Sequence, residues 1–209
     1  MNGKQTVSSL DLILRWFTRV ATVNILWIVF SLFGLLIGGV FPATIAALGI
    51  CRKWLRGEHD IKIWQVFKRV YRQEFYVSNM VGWLLTIIGI VLYVNYRLIG
   101  LSAGEFSFVV PFAFYFILFF YTIIVIWIFP LLVHYQTSWL QQIKNALIIG
   151  LTKIHYTLAN GIILMLVIYF SLKFPGIIPF FSFSLITLGI MYVSIQVFNK
   201  IDNNKNVSI

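Results

Sequence analysis

Residues 20–51 read VATVNILWIVFSLFGLLIGGVFPATIAALGIC, a stretch without Asp, Glu, Lys or Arg. It is far longer than the short apolar core of a cleaved signal peptide, so we expect the amino terminus to be retained. It also exceeds the roughly 20 residues of a spanning helix, and Gly38, Gly39 and Pro42 lie in its middle. Because glycine and proline interrupt helices, the stretch predicts a membrane-embedded segment in two helical pieces.

The two pieces have different expected lengths. One helix is expected over residues 20–39 and a second over residues 42–56, with Pro42 in its first turn, where a missing donor costs little. A helix of about fifteen residues rises about 22 Å, less than a hydrocarbon core of about 30 Å. The second piece is therefore predicted to be a re-entrant or tilted half-helix that turns back. The alternative is a single long crossing with an external amino terminus.

Four further uncharged stretches each hold one predicted crossing. Their expected bounds are residues 77–96, 109–133, 155–172 and 177–198. Amphipathic segments are expected over residues 8–20, 60–76 and 138–153, with Asp60 capping the second and Ser138 forming a capping box with Gln141 in the third. The predicted fold is all-α: a polytopic transmembrane helix bundle over residues 1–209, with about five spanning helices, the half-helix and amphipathic interfacial helices.

The composition indicates that lipid surrounds most of the chain. Hydrophobic residues make up 60% and charged residues 11%, whereas a soluble domain keeps about a quarter of its residues charged. The net charge is +10, but the basic residues lie at the ends of the apolar stretches, where anionic headgroups and the insertion machinery act on them. We therefore expect a bilayer with anionic headgroups, and no nucleic acid, as a partner.

The positions of Lys and Arg set the expected orientation. Residues 52–74 contain seven of them, so this loop and the carboxyl terminus are predicted to be cytoplasmic, in a multi-pass protein of the plasma membrane. Arg97 and Lys173 are then expected outside. The amino-terminal Lys4, Arg15 and Arg19 join the cytoplasmic side only if the first stretch turns back.

Three sequence blocks occur in a characteristic order. They are Asn24-Ile25-Leu26-Trp27, then Gly39 to Thr44 (GVFPAT), then Arg52 to Glu58 (RKWLRGE), with Phe67 and Ser78-Asn79 following. Together they resemble the YesL family of bacterial integral membrane proteins, domain of unknown function family 624. Many members have glycine directly before the proline, whereas two residues intervene here. The resemblance implies a polytopic plasma-membrane protein whose relatives often accompany sugar-uptake and polysaccharide-utilisation systems, and it supplies no catalytic residues.

We expect no catalytic, cofactor or metal site. The predicted spans contain no charge that would indicate ion coupling, and His134 and His155 lack the further ligands of a metal site. Gly34 and Gly38 form a GxxxG spacing, which permits close approach by another helix of the bundle or by a second copy. The residues expected to have structural or interface roles are Asn24, Trp27, Gly34, Gly38, Gly39, Pro42, Arg52, Arg56, Phe67 and Asn79.

The sequence favours a non-enzymatic accessory to carbohydrate uptake or polysaccharide utilisation. Its partners would be carbohydrate transporter subunits, met through the basic amphipathic helix, or a second copy. The alternative is a small solute transporter or permease acting alone or as an oligomer. A membrane-embedded enzyme would need a polar cluster that the sequence does not display.

Overall fold

Long apolar helices dominate the molecule. The computed structural model describes the backbone of residues 3–101 and 108–207, and no strand occurs in these ranges. Their α-helices are α1 Gly3–Phe33, α2 Val40–Leu55, α3 Ile63–Gln73, α4 Phe75–Leu101, α5 Val109–His134, α6 Trp139–Thr152, α7 Ile154–Lys173 and α8 Phe183–Val207. Within these ranges, five stretches are long and apolar enough to cross a membrane: Ile13–Phe33, Phe75–Leu101, Val109–His134, Ile154–Lys173 and Pro175–Asn203. The predicted all-α polytopic bundle is therefore confirmed.

The first uncharged stretch turns back on itself as an antiparallel hairpin of α1 and α2. Trp16 of α1 contacts Trp54 at the end of α2, with ring centroids 5.6 Å apart. Arg19 pairs with Asp60 just beyond α2, at 3.6 Å. Trp16 and Arg19 therefore lie at the same end of the hairpin as Arg52, and we call this end the basic end.

Several predicted boundaries need correction. The first helix does not reach residue 39: it ends at Phe33, because residues 34–39 form the turn, and it includes the segment 8–20 that was expected to be separate. The second helix begins at Val40, before Pro42. Asp60 does not cap α3, because α3 begins after Lys62 and Asp60 is held by Arg19.

Helix α4 passes the turn of the hairpin and continues beyond it. Phe41 of α2 packs where a side chain on Gly82 would lie. Farther along α4, the hydroxyl of Tyr121 in α5 donates to the carbonyl of Leu85 at 3.0 Å, and Tyr96 stacks on Phe114 with centroids 6.3 Å apart. Residues 86–101 and 109–122 thus form a two-helix extension, which we call the α4–α5 arm.

Helix α5 contains Pro130, which is buried. Helix α6 returns antiparallel to α5, and a side chain on Gly150 would overlap Ile123. Ser138 precedes α6 but its side chain makes no capping hydrogen bond, so the predicted capping box is wrong. Gln141 donates to Asn145 at 3.0 Å instead of reaching back to the helix start.

Helices α7 and α8 form a second antiparallel pair. Ile163 of α7 lies against Gly189 of α8, and nearer the basic end Lys200 donates to the Tyr156 hydroxyl at 2.7 Å. The predicted crossing over residues 177–198 does not begin as a regular helix, because prolines at 175 and 179 remove donors and the chain forms a 3₁₀ turn, Pro175–Ile177, and a π turn, Ile178–Ser182. This irregular segment packs on α1 through Phe181 and Phe17, with centroids 4.5 Å apart.

Candidate functional site at the basic end

Close glycine contacts shape the turn between α1 and α2. A Cβ on Gly34 would overlap the backbone of Gly39, and one on Gly39 would come within 2.7 Å of the Phe30 carbonyl oxygen. Leu35 and Leu36 have φ values of 54° and 62°, a left-handed conformation that branched side chains disfavour. Gly34 and Gly38 therefore belong to the turn, and their spacing is not a helix-packing motif as the sequence had suggested.

Polar side chains from α4 and α3 satisfy carbonyl groups at this turn. Asn79 donates to the Gly38 carbonyl oxygen at 3.0 Å, and Trp83 donates to that of Ile37 at 3.0 Å. The Tyr71 hydroxyl donates to Phe30 at 3.3 Å. Because irregular backbone is tolerated at membrane depth only where its polar groups are paired, these donors allow the turn to lie in apolar surroundings. Asn79 thus links α4 to the backbone of the turn.

Asn24 joins α1 to the start of α8. Its side chain is only 1% exposed. The Nδ2 group donates to the carbonyl oxygens of Ile178 at 3.1 Å and Pro179 at 2.8 Å, and Oδ1 accepts from the backbone N–H groups of Phe183 at 2.9 Å and Ser184 at 3.2 Å. One amide therefore pairs four backbone groups that the π turn and the first turn of α8 leave free.

Trp27 and Pro42 support the same hairpin. The Trp27 Nε1 group donates to the Thr44 hydroxyl of α2 at 3.2 Å, and its ring stacks on Phe183 with centroids 3.9 Å apart. Pro42 is buried in the first turn of α2, where its missing N–H leaves no helical hydrogen bond unmade. The residues of the first two family-like blocks thus lie at contacts between α1, α2 and α8.

Phe67 anchors α3 against the hairpin. Its side chain is 0% exposed and packs on Phe30 of α1, with centroids 5.0 Å apart. This anchor fixes the rotation of α3 about its own axis, because residues three and four apart share one helix face. The side of α3 away from Phe67 exposes Gln65, Lys68, Arg69 and Arg72, and Trp64, which is half exposed and also contacts Phe30 with centroids 5.4 Å apart, lies at its edge. We call these five residues the α3 outer face.

A pocket of about 170 Å³ lies at the basic end, between α2, α3 and the end of α5. Arg52 and Arg56 of α2 line it, together with Gln73, Glu74 and Gln136. Burial, and secondly the neighbouring Arg56, lowers the pKa of Arg52. Burial raises the pKa of Glu74, which makes no ion pair within the described residues. The two arginines named from the sequence are therefore brought together in one cavity.

A polar network beside this pocket ties α5 to α8. The Tyr135 hydroxyl donates to Asp202 at 2.9 Å, and the His134 ring contacts the same carboxylate at 3.3 Å. Gln142 of α6, 1% exposed, donates to the Tyr135 carbonyl oxygen at 2.6 Å. Burial, with this hydrogen bond to Asp202, raises the pKa of Tyr135. Sequence reasoning missed this network, because no pattern along the chain links residues separated by more than sixty positions.

The described residues contain no group of three or more His, Cys, Asp or Glu side chains that would hold a metal ion. Three basic residues, Arg52, Lys53 and Arg56, line the pocket against two acidic ones, Glu58 and Glu74, and this excess of positive charge suits anions. The fold and this site together define a polytopic helical membrane protein with a basic, polar end.

Comparison with known proteins gives the family. Residues 20–96 match the family model described as "Protein of unknown function, DUF624". The chain is 33% identical over 191 residues to the uncharacterized protein YteU of Bacillus subtilis (strain 168), a match that covers 91% of this chain and 85% of the relative. It is 32% identical over 185 residues to YesV of the same organism, with 87% of this chain and 88% of the relative covered.

A third relative extends the match. The chain is 27% identical over 193 residues to YesL of Bacillus subtilis (strain 168), and the match covers 91% of this chain and 90% of that protein. No solved structure matches significantly. The chain belongs to the DUF624 family of YesL-like membrane proteins.

Proposed function

We propose that this chain is a non-enzymatic accessory protein of carbohydrate uptake or polysaccharide utilisation in the plasma membrane. It lies with its basic end in the cytoplasm and meets a subunit of a carbohydrate transporter through the α3 outer face. The observation that carries the proposal is the fixed presentation of that face. Phe67 is fully buried, Lys68 and Arg69 are exposed on the other side of the same short helix, and Trp64, 52% exposed, lies at the edge between the two faces.

Charge and composition support a docking role for this face. Lys68, Arg69 and Arg72 are exposed, and within the described residues they make no ion pair. A large aromatic ring beside unpaired basic groups is a common composition of interface centres, where Trp and Arg supply much of the binding energy. The carbohydrate context comes from the family resemblance, whose members often accompany sugar-uptake systems.

A pull-down from cells grown on a complex glycan tests the proposal. The full-length wild-type protein, solubilised in mild detergent, should recover carbohydrate transporter subunits. The double variant Lys68→Glu with Arg69→Glu should recover at least tenfold less, because two attractive charges become repulsive. The matched control, Lys144→Glu with Lys153→Glu, changes the same charge elsewhere and should recover wild-type amounts.

Two outcomes would contradict this function. Either the wild-type protein recovers no transporter subunit, or the α3 double variant and the control behave alike. The second outcome would also favour the view that the α3 outer face contacts only anionic lipid headgroups, which detergent removes.

The competing function is a small solute transporter, and one observation favours it. Asn160 of α7 is 1% exposed and Ser194 of α8 is 0% exposed, and Asn160 Nδ2, Asn160 Oδ1 and Ser194 Oγ all lack a hydrogen-bond partner. The contacts between α7 and α8 place both residues in the middle of this helix pair. Unpaired polar atoms inside a membrane bundle are found along solute pathways. Solute flux into liposomes that contain only this protein, abolished by Asn160→Leu, would replace the accessory role.

A further inference from the structure

Arg52 and Arg56 are held together without compensation. They lie one helical turn apart on α2, a spacing at which like charges destabilise a helix. Neither arginine has an ion pair or a hydrogen bond to another side chain within the described residues. The Nε group of Arg52 is buried and has no partner. A buried donor left unpaired costs free energy and needs an explanation.

The acidic groups around the pocket form no ion pair with either arginine. Glu58 is bound to Lys53. Asp202 accepts from Tyr135 and contacts His134. Glu74 lines the pocket and pairs with neither arginine, and burial raises its pKa. The two guanidinium groups therefore face a small cavity with unpaired donors, and the three basic residues that line it, Arg52, Lys53 and Arg56, outnumber the two acidic ones, Glu58 and Glu74.

We propose that this pocket binds a phosphate group, with Arg52 and Arg56 as its principal ligands. Guanidinium groups offer paired N–H donors that match two oxygens of one phosphate, and a phosphate has enough acceptor oxygens for both arginines. The side-chain amides of Gln73 and Gln136 line the same cavity and add neutral donors. A carboxylate can accept hydrogen bonds from both arginines, but its single charge neutralises only one of them, whereas a phosphate carries up to two charges.

The pocket is small, at about 170 Å³, below the roughly 300 Å³ of pockets that enclose drug-sized ligands. It holds the phosphate and leaves the rest of the molecule outside. The phosphate belongs to a lipid headgroup or to a soluble phosphomonoester, because the basic end of the helices borders both lipid and water. The inference stands apart from the proposed function, since none of the five residues of the α3 outer face lines this pocket.

Thermal unfolding of the full-length protein in phosphatidylcholine nanodiscs tests the proposal in two arms. One arm adds glycerol 3-phosphate to the solution, and the other replaces part of the lipid with phosphatidic acid. In at least one arm the wild-type midpoint should rise, as linkage requires for a ligand of the folded state. Acetate at equal ionic strength should have no such effect.

Variants then assign the site. Arg52→Gln and Arg56→Gln should each weaken the apparent affinity at least tenfold, and Arg56→Gln keeps the test open if Arg52→Gln folds poorly, because Arg56 is exposed. The matched control Lys68→Gln, on the α3 outer face, should bind as the wild type does. A response to phosphatidic acid alone identifies the lipid, and a response to glycerol 3-phosphate identifies the soluble ester. No response in either arm, or equal losses in Lys68→Gln and Arg56→Gln, would overturn the inference.

Discussion

Asn24 in α1 and Asn160 in α7 are buried to the same extent, each 1% exposed, but their amides are in opposite states. Asn24 pairs with four backbone groups at the start of α8. Asn160 has no partner for either amide atom within the described residues. A paired amide holds elements together, whereas an unpaired one costs stability. Burial alone therefore does not tell a structural asparagine from one whose bonding capacity is free.

The largest expected effect is at Asn24. Asn24→Leu leaves two carbonyl and two N–H groups unpaired in an apolar region, so we expect a loss of about 3 kcal/mol in the free energy of unfolding. Equilibrium unfolding in detergent micelles measures it. Asn95→Leu is the matched control, because Asn95 is exposed and, among the described residues, bonds only to Val91 of its own helix. Similar losses in the free energy of unfolding for Asn24→Leu and Asn95→Leu would show that the four paired backbone groups do not account for the effect at Asn24.

A second close contact, at Gly39 in the turn between α1 and α2, extends the comparison. Gly39→Ala places a Cβ within 2.7 Å of the Phe30 carbonyl oxygen, so α1 and α2 must separate. We expect a loss of about 2 kcal/mol, the usual range for overpacking. The control is Gly100→Ala, since a Cβ there meets nothing within 4 Å. If Gly39→Ala unfolds at the same midpoint as Gly100→Ala, the turn is looser than described.

Asn79 gives an intermediate case. Asn79→Leu removes the bond to the Gly38 carbonyl and a second bond to Phe75 within α4. Only the first joins separate elements, so we expect a loss of about 1 kcal/mol. The same unfolding measurement applies, with Asn95→Leu again as reference. A loss as large as that of Asn24→Leu would show that the count of paired groups does not set the cost.

Substitution of Asn160 should not lower the free energy of unfolding as substitution of Asn24 does. Asn160→Leu replaces an unpaired amide with an apolar group of similar size, so stability should stay equal or rise by less than about 1 kcal/mol. Unfolding in detergent measures this, in parallel with Asn24→Leu. A loss of 2 kcal/mol or more, judged against an error of about 0.5 kcal/mol, would mean that Asn160 is paired in the working protein.

The smallest effect concerns Glu74, whose pKa is raised by burial. When the pKa of a carboxyl group is higher in the folded state than in the unfolded state, its protonation favours the folded protein. This contribution to the free energy of unfolding is fully present below the unfolded-state pKa and is lost as the pH rises through the folded-state pKa. The wild-type protein should therefore lose some stability as the pH rises from 4 to 7, relative to Glu74→Gln. Parallel pH profiles for the two proteins would show that Glu74 behaves as an exposed carboxyl group.

The helical fold and the membrane class could be predicted from the sequence, because a long uncharged stretch has few stable conformations other than a membrane-spanning helix. The α1–α2 hairpin could also be predicted. Gly38, Gly39 and Pro42 interrupt the first stretch, and the distribution of basic residues favours a chain that turns back to the side from which it entered. The position of the turn was predicted less well. Leu35 and Leu36 adopt a left-handed backbone conformation, and leucine has no local preference from which this could be predicted.

The candidate site was predicted only in part. Arg52, Arg56, Phe67, Asn24 and Asn79 were named from the family-like blocks, and each occupies a specific contact or lines the pocket. Their partners could not be named. Ile178, Pro179 and Gln136 contribute through backbone groups or through position, and these depend on tertiary packing that leaves no periodic signal.

Helix α5 contributes to both ends of the molecule. Val109 and Phe114 near its start line the groove of the α4–α5 arm, while Leu132 and Val133 near its end line the phosphate pocket. Pro130 lies just before those last residues and removes one backbone hydrogen bond, which weakens the helix locally. One helix therefore supplies side chains both to the arm and to the pocket, so the two ends of the molecule share a single structural element.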